Sequence, residues 1–220
     1  MGLQQDVAAI ARHLHAAGWV ANHDGNVSAR ASDHKRFFAT PTAVSKRLIN
    51  GDDVVTVDIA GKILAGRKKL FGEWHLHAAC YAARSDVAAV VHAHPVAATT
   101  VGLLRRSLGA PGLPEMVVSL GKNIPTLDYA FPKSAGQDAA LKKALTDGDA
   151  DVVLLAGNGV VAVGVDLEQA LLRLELVEHY SKMWLLALPL GGVTALPESD
   201  LQKLLEARTK AGLGNAARRG

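Results

Sequence analysis

The chain has 220 residues, 49% of them hydrophobic and 20% charged, which suits one domain with a substantial core and excludes a disordered chain. A formal charge of +3 with no strong basic patch argues against a nucleic-acid partner. The single cysteine, Cys80, excludes an intrachain disulfide and points to a reducing compartment; set in an apolar helical run, it reads as a small buried hydrophobe rather than a nucleophile.

Val7, Ile10, Ala11 and Leu14 recur at helical spacing over residues 4–17, and Gly18 follows as a cap. Residues 22–30 are turn-rich and then extended. Phe37–Thr40 and Val54–Ile59 read as strands, with a turn at Ala60-Gly61-Lys62 leading into Ile63–Ala65. Glu73–Arg84 reads as a helix, Val87–Ala93 as a buried strand and Pro95–Arg106 as a helix. Glu115–Val118 is expected to be a strand. Ala135–Leu145 is a helix that Ser134 would cap. Asp151–Ala156 and Val160–Val163 form a hairpin through Gly157-Asn158-Gly159, where glycines supply positive φ. Asp166 caps a long helix running from Leu167 to about Leu188, and Pro197–Lys210 is a last helix. The basic tail, with Arg208, Lys210, Arg218 and Arg219, reads as a fraying terminus. The N-terminal residues show no signal-peptide pattern and no apolar run is long enough to span a bilayer, so a cytoplasmic location is expected, with no membrane partner. Strands and helices are mixed without strict βαβ alternation, so the expected class is α/β, a sandwich around a central, mostly antiparallel sheet.

Val90-Val91-His92-Ala93-His94-Pro95 carries the chemistry. Two histidines at i and i+2 share one side of an extended strand, and each buried imidazole needs a partner. One metal ion would satisfy both. Alone, each is equally a satisfied core residue. Glu73 opens a helix, where a carboxylate complements the dipole; facing the histidines, it would instead be a general acid/base. Gly25-Asn26-Val27-Ser28 and Thr40-Pro41-Thr42-Ala43 are turns able to hold an anion, or plain turns.

In order and spacing these pieces resemble the class II aldolase/adducin family, from the first helix to about Met183. The matching segments are Gly25-Asn26-Val27-Ser28, Thr40-Pro41-Thr42, then Glu73 with His77 and Tyr81, and Arg84 and Asp86 before His92-Ala93-His94-Pro95. Ile124-Pro125 with Tyr129, the turn Leu154–Val160, and Glu175 and Glu178 complete it. The resemblance implies a three-layer α/β/α sandwich around a nine-stranded antiparallel sheet, one such domain over residues 1–220 with a mobile tail from about 208. It further implies a cyclic homotetramer with active sites between subunits. It assigns metal ligands to His92 and His94, with Asn158 where the family has its third histidine. The implied cofactor is a divalent ion, zinc first, with manganese or another ion as options. Glu73 and Tyr129 are the implied catalytic residues, and Asn26, Ser28, Thr40, Thr42, Phe71 and Gly72 the substrate-binding ones. Phe71-Gly72 stands where many sugar-phosphate members carry a Ser-Ser pair, which suggests a more apolar or non-phosphorylated substrate. An amide oxygen is a weaker zinc ligand than imidazole, and His23, His75 and His77 are candidate substitutes.

The expected function is a divalent-metal-dependent aldolase, a carbon–carbon lyase acting on a small hydroxy-carbonyl or sugar-derived compound through an enediolate. A decarboxylase of a keto or aromatic acid is an alternative on the same scaffold. A metal-free, adducin-like assembly protein is the alternative from another class, since one fold hosts several functions.

Overall fold

The computed structural model describes residues 2–108, 111–131 and 135–218. Eight helices and eight strands are assigned among them. Helix α1 (Leu3–Ala16) leads to strands β1 (Asn26–Arg30), β2 (Phe37–Ala39), β3 (Val55–Val57) and β4 (Ile63–Ala65). Helix α2 (Trp74–Ala83), strand β5 (Ala89–Ala93) and helices α3 (Val96–Leu103) and α4 (Pro114–Leu120) follow. Strand β6 (Thr126–Leu127), helix α5 (Ala135–Thr146), strands β7 (Val152–Leu155) and β8 (Val160–Gly164), and helices α6 (Leu167–Ala187), α7 (Glu198–Lys210) and α8 (Gly214–Arg218) complete the chain. No described helix is long and apolar enough to cross a membrane.

The strands form one sheet in the order β4-β3-β2-β1-β5-β8-β7-β6, antiparallel except for the parallel β6–β7 pair. Alternation along the strands sends successive side chains to opposite faces, and each face has its own core. Val27, Ala29, Val91, Ala93 and Val160 pack under α1, α3, α4 and α6. Phe37, Val55, Val57, Val90, Val153 and Val161 pack under α2 and α5. The result is the expected three-layer α/β/α sandwich, with eight strands among the described residues rather than nine.

Residues 115–118 are helical, not extended. Pro114 occupies the first turn of α4, where its missing N–H costs nothing. Met116, Val117 and Leu120 then bury one face, and Gly121, at φ +93°, ends the helix. Burial of that face outweighs the strand preference of Val117-Val118. Asp166 caps α6, its side chain accepting from the Gln169 N–H. Ser134, expected to cap α5, lies outside the described residues. Arg208 does not belong to a frayed end: it is 2% exposed, and its guanidinium reaches Asp151 and the carbonyls of Val118 and Ser119.

Candidate active site

The site lies at one end of the sheet's central strands. The β1–β5 register sets Asn26 opposite His92, and β5–β8 pairing sets Ala93 against Val160, so the 157–159 turn comes beside His94. Two glycines permit this approach. A Cβ on Gly159, at φ +72°, would collide with the Ala93 carbonyl and the His94 ring. One on Gly25, at φ +69°, would strike Val20 and press on the His92 carbonyl.

Glu73 is the N-cap residue of α2, yet its side chain makes no capping bond. Its carboxylate turns to the sheet instead. Oε2 accepts from Asn26 Nδ2 at 3.0 Å and lies 3.4 Å from His92 Nδ1. Oε1 accepts from Asn158 Nδ2 at 2.7 Å. Burial alone would raise its pKa, but His92, Asn158 and Asn26 together hold the carboxyl well below the usual carboxylate range. His92 shifts up in turn: burial disfavours its charge, and the Glu73 partnership outweighs that. Glu73 is therefore an ionised, half-buried carboxylate held by three neighbours.

An ionised carboxylate accepts only, and this orders the groups behind it. Asn26 must present its NH2 to Glu73, so its carbonyl oxygen faces His77 Nε2, which donates. His77 Nδ1 then accepts from Ser28 Oγ at 2.7 Å, and Ser28 Oγ accepts from Tyr81 OH at 2.7 Å. Burial, with His92 nearby, pulls the His77 pKa well below its ordinary value, so this ring is neutral, and burial pushes the Tyr81 phenol up. The chain Tyr81–Ser28–His77–Asn26–Glu73 is directional from end to end.

His92 and His94 are brought together, with ring centroids 5.6 Å apart. His92 Nε2 donates to the Asn158 carbonyl at 2.7 Å and its Nδ1 faces Glu73 Oε2 at 3.4 Å, while His94 Nε2 is buried with no hydrogen bond. Buried imidazole nitrogens are normally satisfied, so the open Nε2 of His94, with the His92 ring beside it, fits a site for an ion. Burial, and then the neighbouring His92, lower the His94 pKa, which favours the neutral form that ligates. Among the described residues no three His, Cys, Asp or Glu side chains gather for a metal; a third donor here would be the Asn158 amide. Glu178, on α6, supports the same region. Its carboxylate accepts from the Ala97 and Ala98 N–H groups at 3.2 and 2.9 Å, capping α3 immediately after His94-Pro95.

A cavity of about 400 Å³ opens on this cluster, lined by Gly72, Glu73, His75, Tyr129, Gln137 and Asn158 among others. Gly72 leaves open space where a Cβ would point. Five residues expected to contact substrate lie outside this lining; Asn26, 3% exposed, is held between Glu73 and His77. Ser28 is fully buried in the chain behind Glu73. Thr40 is fully buried, and its hydroxyl accepts from the Val27 N–H. Phe71 packs in the core against His77 and Trp74, at ring distances of 4.8 and 6.0 Å. Thr42 is exposed outside the cavity lining, and its N–H donates to the Lys69 carbonyl. The substitute ligands are also placed. His77 has both nitrogens engaged, His75 Nδ1 lies 2.6 Å from Asp138, and His23 is exposed.

Fold and site together define a class: an α/β/α sandwich whose central strands present paired imidazoles beside an ionised carboxylate that lines a small cavity. Residues 5–185 match the family described as Class II Aldolase and Adducin N-terminal domain. The chain is 30% identical to an L-fuculose phosphate aldolase of Methanocaldococcus jannaschii, covering 81% of this chain and 93% of the relative. It is 33% identical to an L-fuculose phosphate aldolase of Escherichia coli K12, covering 83% and 82%. A solved structure of L-fuculose 1-phosphate aldolase superposes with a TM-score of 0.82 at 25% identity, covering 92% of this chain and 94% of that one. The chain belongs to the class II aldolase and adducin family.

Proposed function

We propose that this protein is a divalent-metal-dependent aldolase that cleaves or forms a carbon–carbon bond in a small hydroxy-carbonyl or sugar-derived compound. The observation that carries the reading is Glu73, kept ionised by Asn26, Asn158 and His92 in the lining of a cavity. Such a carboxylate takes a proton from the carbon beside a carbonyl and returns it. Asn26 and Asn158 hold it in register, and the buried chain behind Asn26 keeps the amide from turning. Tyr129, 57% exposed on the cavity wall, would be the second residue to meet the substrate. His92, His94 and the Asn158 amide oxygen would hold the ion. When bound, it would act as a Lewis acid on the carbonyl and on the negative charge that develops there. Zinc is the first candidate and manganese the second, because an amide oxygen suits harder ions. A cytoplasmic homotetramer belongs to the same reading. The names of the aldolase relatives support the reaction class.

One observation favours the assembly alternative. Asn158 bonds Glu73 through its side chain and His92 through its carbonyl, closing a ring of hydrogen bonds without an ion. Metal content per subunit, measured by elemental mass spectrometry on untagged protein purified without chelators, separates the two. Near-stoichiometric divalent metal, followed by retro-aldol activity on a panel of short hydroxyketone substrates, is the expected result. No metal bound after incubation with excess zinc or manganese would reject the aldolase reading in favour of assembly.

A further inference from the structure

His94 has a support of its own in the turn before β1. Asp24 sits in the turn before β1, where its Oδ1 accepts from the Ala21 N–H at 2.7 Å. Its Oδ2 lies 3.1 Å from His94 Nδ1. A carboxylate at that distance offers no proton, so the ring's single proton belongs on Nδ1 and the Nε2 lone pair is left free. Nε2 is the atom that is buried with no partner. Behind Asp24 stands Lys46, 2% exposed, whose Nζ donates to the His23 carbonyl at 3.1 Å and whose charge acts on Asp24. The His94 main chain is fixed too, its N–H donating to the Trp19 carbonyl at 2.8 Å.

We propose that Asp24 is a positioning carboxylate for His94: it keeps the proton on Nδ1, directs the Nε2 lone pair to a divalent ion, and so offsets the weak third donor supplied by Asn158. The inference rests on the metal-dependent reading above. A carboxylate on the far nitrogen of a ligating imidazole fixes its tautomer and raises its basicity, and losing that partner costs about 10–100-fold in metal affinity. Lys46 holds the Asp24 turn from behind, which keeps the carboxylate from swinging out to solvent.

The test compares wild type, Asp24→Ala and Asp24→Asn, with Asp33→Ala as a surface control; Asp33 pairs with exposed Arg36 in the turn at the other end of β1. Zinc and manganese affinities are measured by competition with a chromophoric chelator. The His94 tautomer is read separately by nitrogen-15 NMR on ion-free protein. Wild type should show the proton on Nδ1, and Asp24→Ala should lose that preference and bind zinc about 10–100-fold more weakly. Asp24→Asn keeps the shape, loses the charge, and carries the test if the alanine variant does not fold. A wild type that binds zinc, with Asp24 variants within about twofold of it, overturns the proposal and leaves the metal reading standing. A wild type that binds no ion overturns the metal reading. The ion-free tautomer then decides the role of Asp24 in holding the ring: dependence on Asp24 supports it, and indifference overturns it.

Discussion

Asp151→Asn is expected to be the most destabilising single-atom change in this chain. Asp151 is fully buried just before β7. Its carboxylate takes Arg84 at 2.7 Å, Arg173 at 2.9 Å and Arg208 at 2.6 Å, all on short contacts. Asp86 also pairs with Arg84, and Asp149 lies 4.0 Å from Arg208. Removing the central charge takes one carboxylate from three buried guanidinium groups, of which Arg84 keeps Asp86 and Arg208 keeps Asp149, and breaking one buried pair costs about 3–5 kcal/mol. At about 2–4 °C per kcal/mol for a chain of this size, the melting temperature should fall by roughly 6–20 °C. The three arginines hold the Asp151 carboxyl below its ordinary pKa against a burial effect that would raise it. A depressed folded-state pKa gives stability that is present above the unfolded value of about 3.9 and is lost as pH falls below it. The gap between wild type and variant should therefore be full at neutral pH and shrink below pH ~4. Circular dichroism melts at both pH values test this. A variant melting within 2 °C of wild type at pH 7, against the roughly 6 °C minimum expected, would refute the reasoning.

Three further outcomes follow from the same structure. Gly159→Ala should destabilise the protein by more than about 1 kcal/mol, because it adds a collision at the Ala93 carbonyl to a positive φ; a melt and a zinc titration on one sample would show both effects, and an unchanged zinc affinity would mean that the turn does not shape the His94 position. Ser28→Ala leaves a buried His77 nitrogen without its donor, so a loss of about 1–3 kcal/mol in urea unfolding is expected; a neutral result would show that water fills the gap. Cys80 is fully buried, and burial pushes its thiol well above the ordinary range; a thiol reagent should leave native protein unlabelled and react once urea unfolds it, whereas rapid native labelling would show that α2 opens.

Much of the fold was legible because its strands and helices carry clean periods. The apolar run Val87–Ala93 and the glycine turn at 157–159 announced a buried strand and a hairpin of the sheet, and Asp166 announced α6. Where local preference and burial disagree, the sequence misleads. Val117-Val118 looks like a strand until Met116, Val117 and Leu120 are seen to bury one helical face. Strand β6 has two residues and gains its place only by pairing with β7, which no local pattern records. The candidate site divides the same way. Glu73, His92 and His94 stood out as chemical types at motif spacing. Ser28 and Thr40 stood out equally, yet their hydroxyls serve His77, Tyr81 and the Val27 N–H. Asp24 gave no signal, because its meaning depends on where β5 delivers His94, seventy residues on. Arg208 was read from its basic neighbours, while its partner Asp151 is distant in sequence.

In the proposed reaction Glu73 moves a proton at the carbon beside a carbonyl. Proton NMR of dihydroxyacetone and its phosphate in deuterium oxide, with wild type and Glu73→Gln each supplied with zinc or manganese, tests it most directly. Loss of the carbon-bound proton signal is expected with wild type, dependent on added ion, and slowed at least about 100-fold in the glutamine variant. Equal exchange by the two proteins, or none by wild type with either ion, would contradict it.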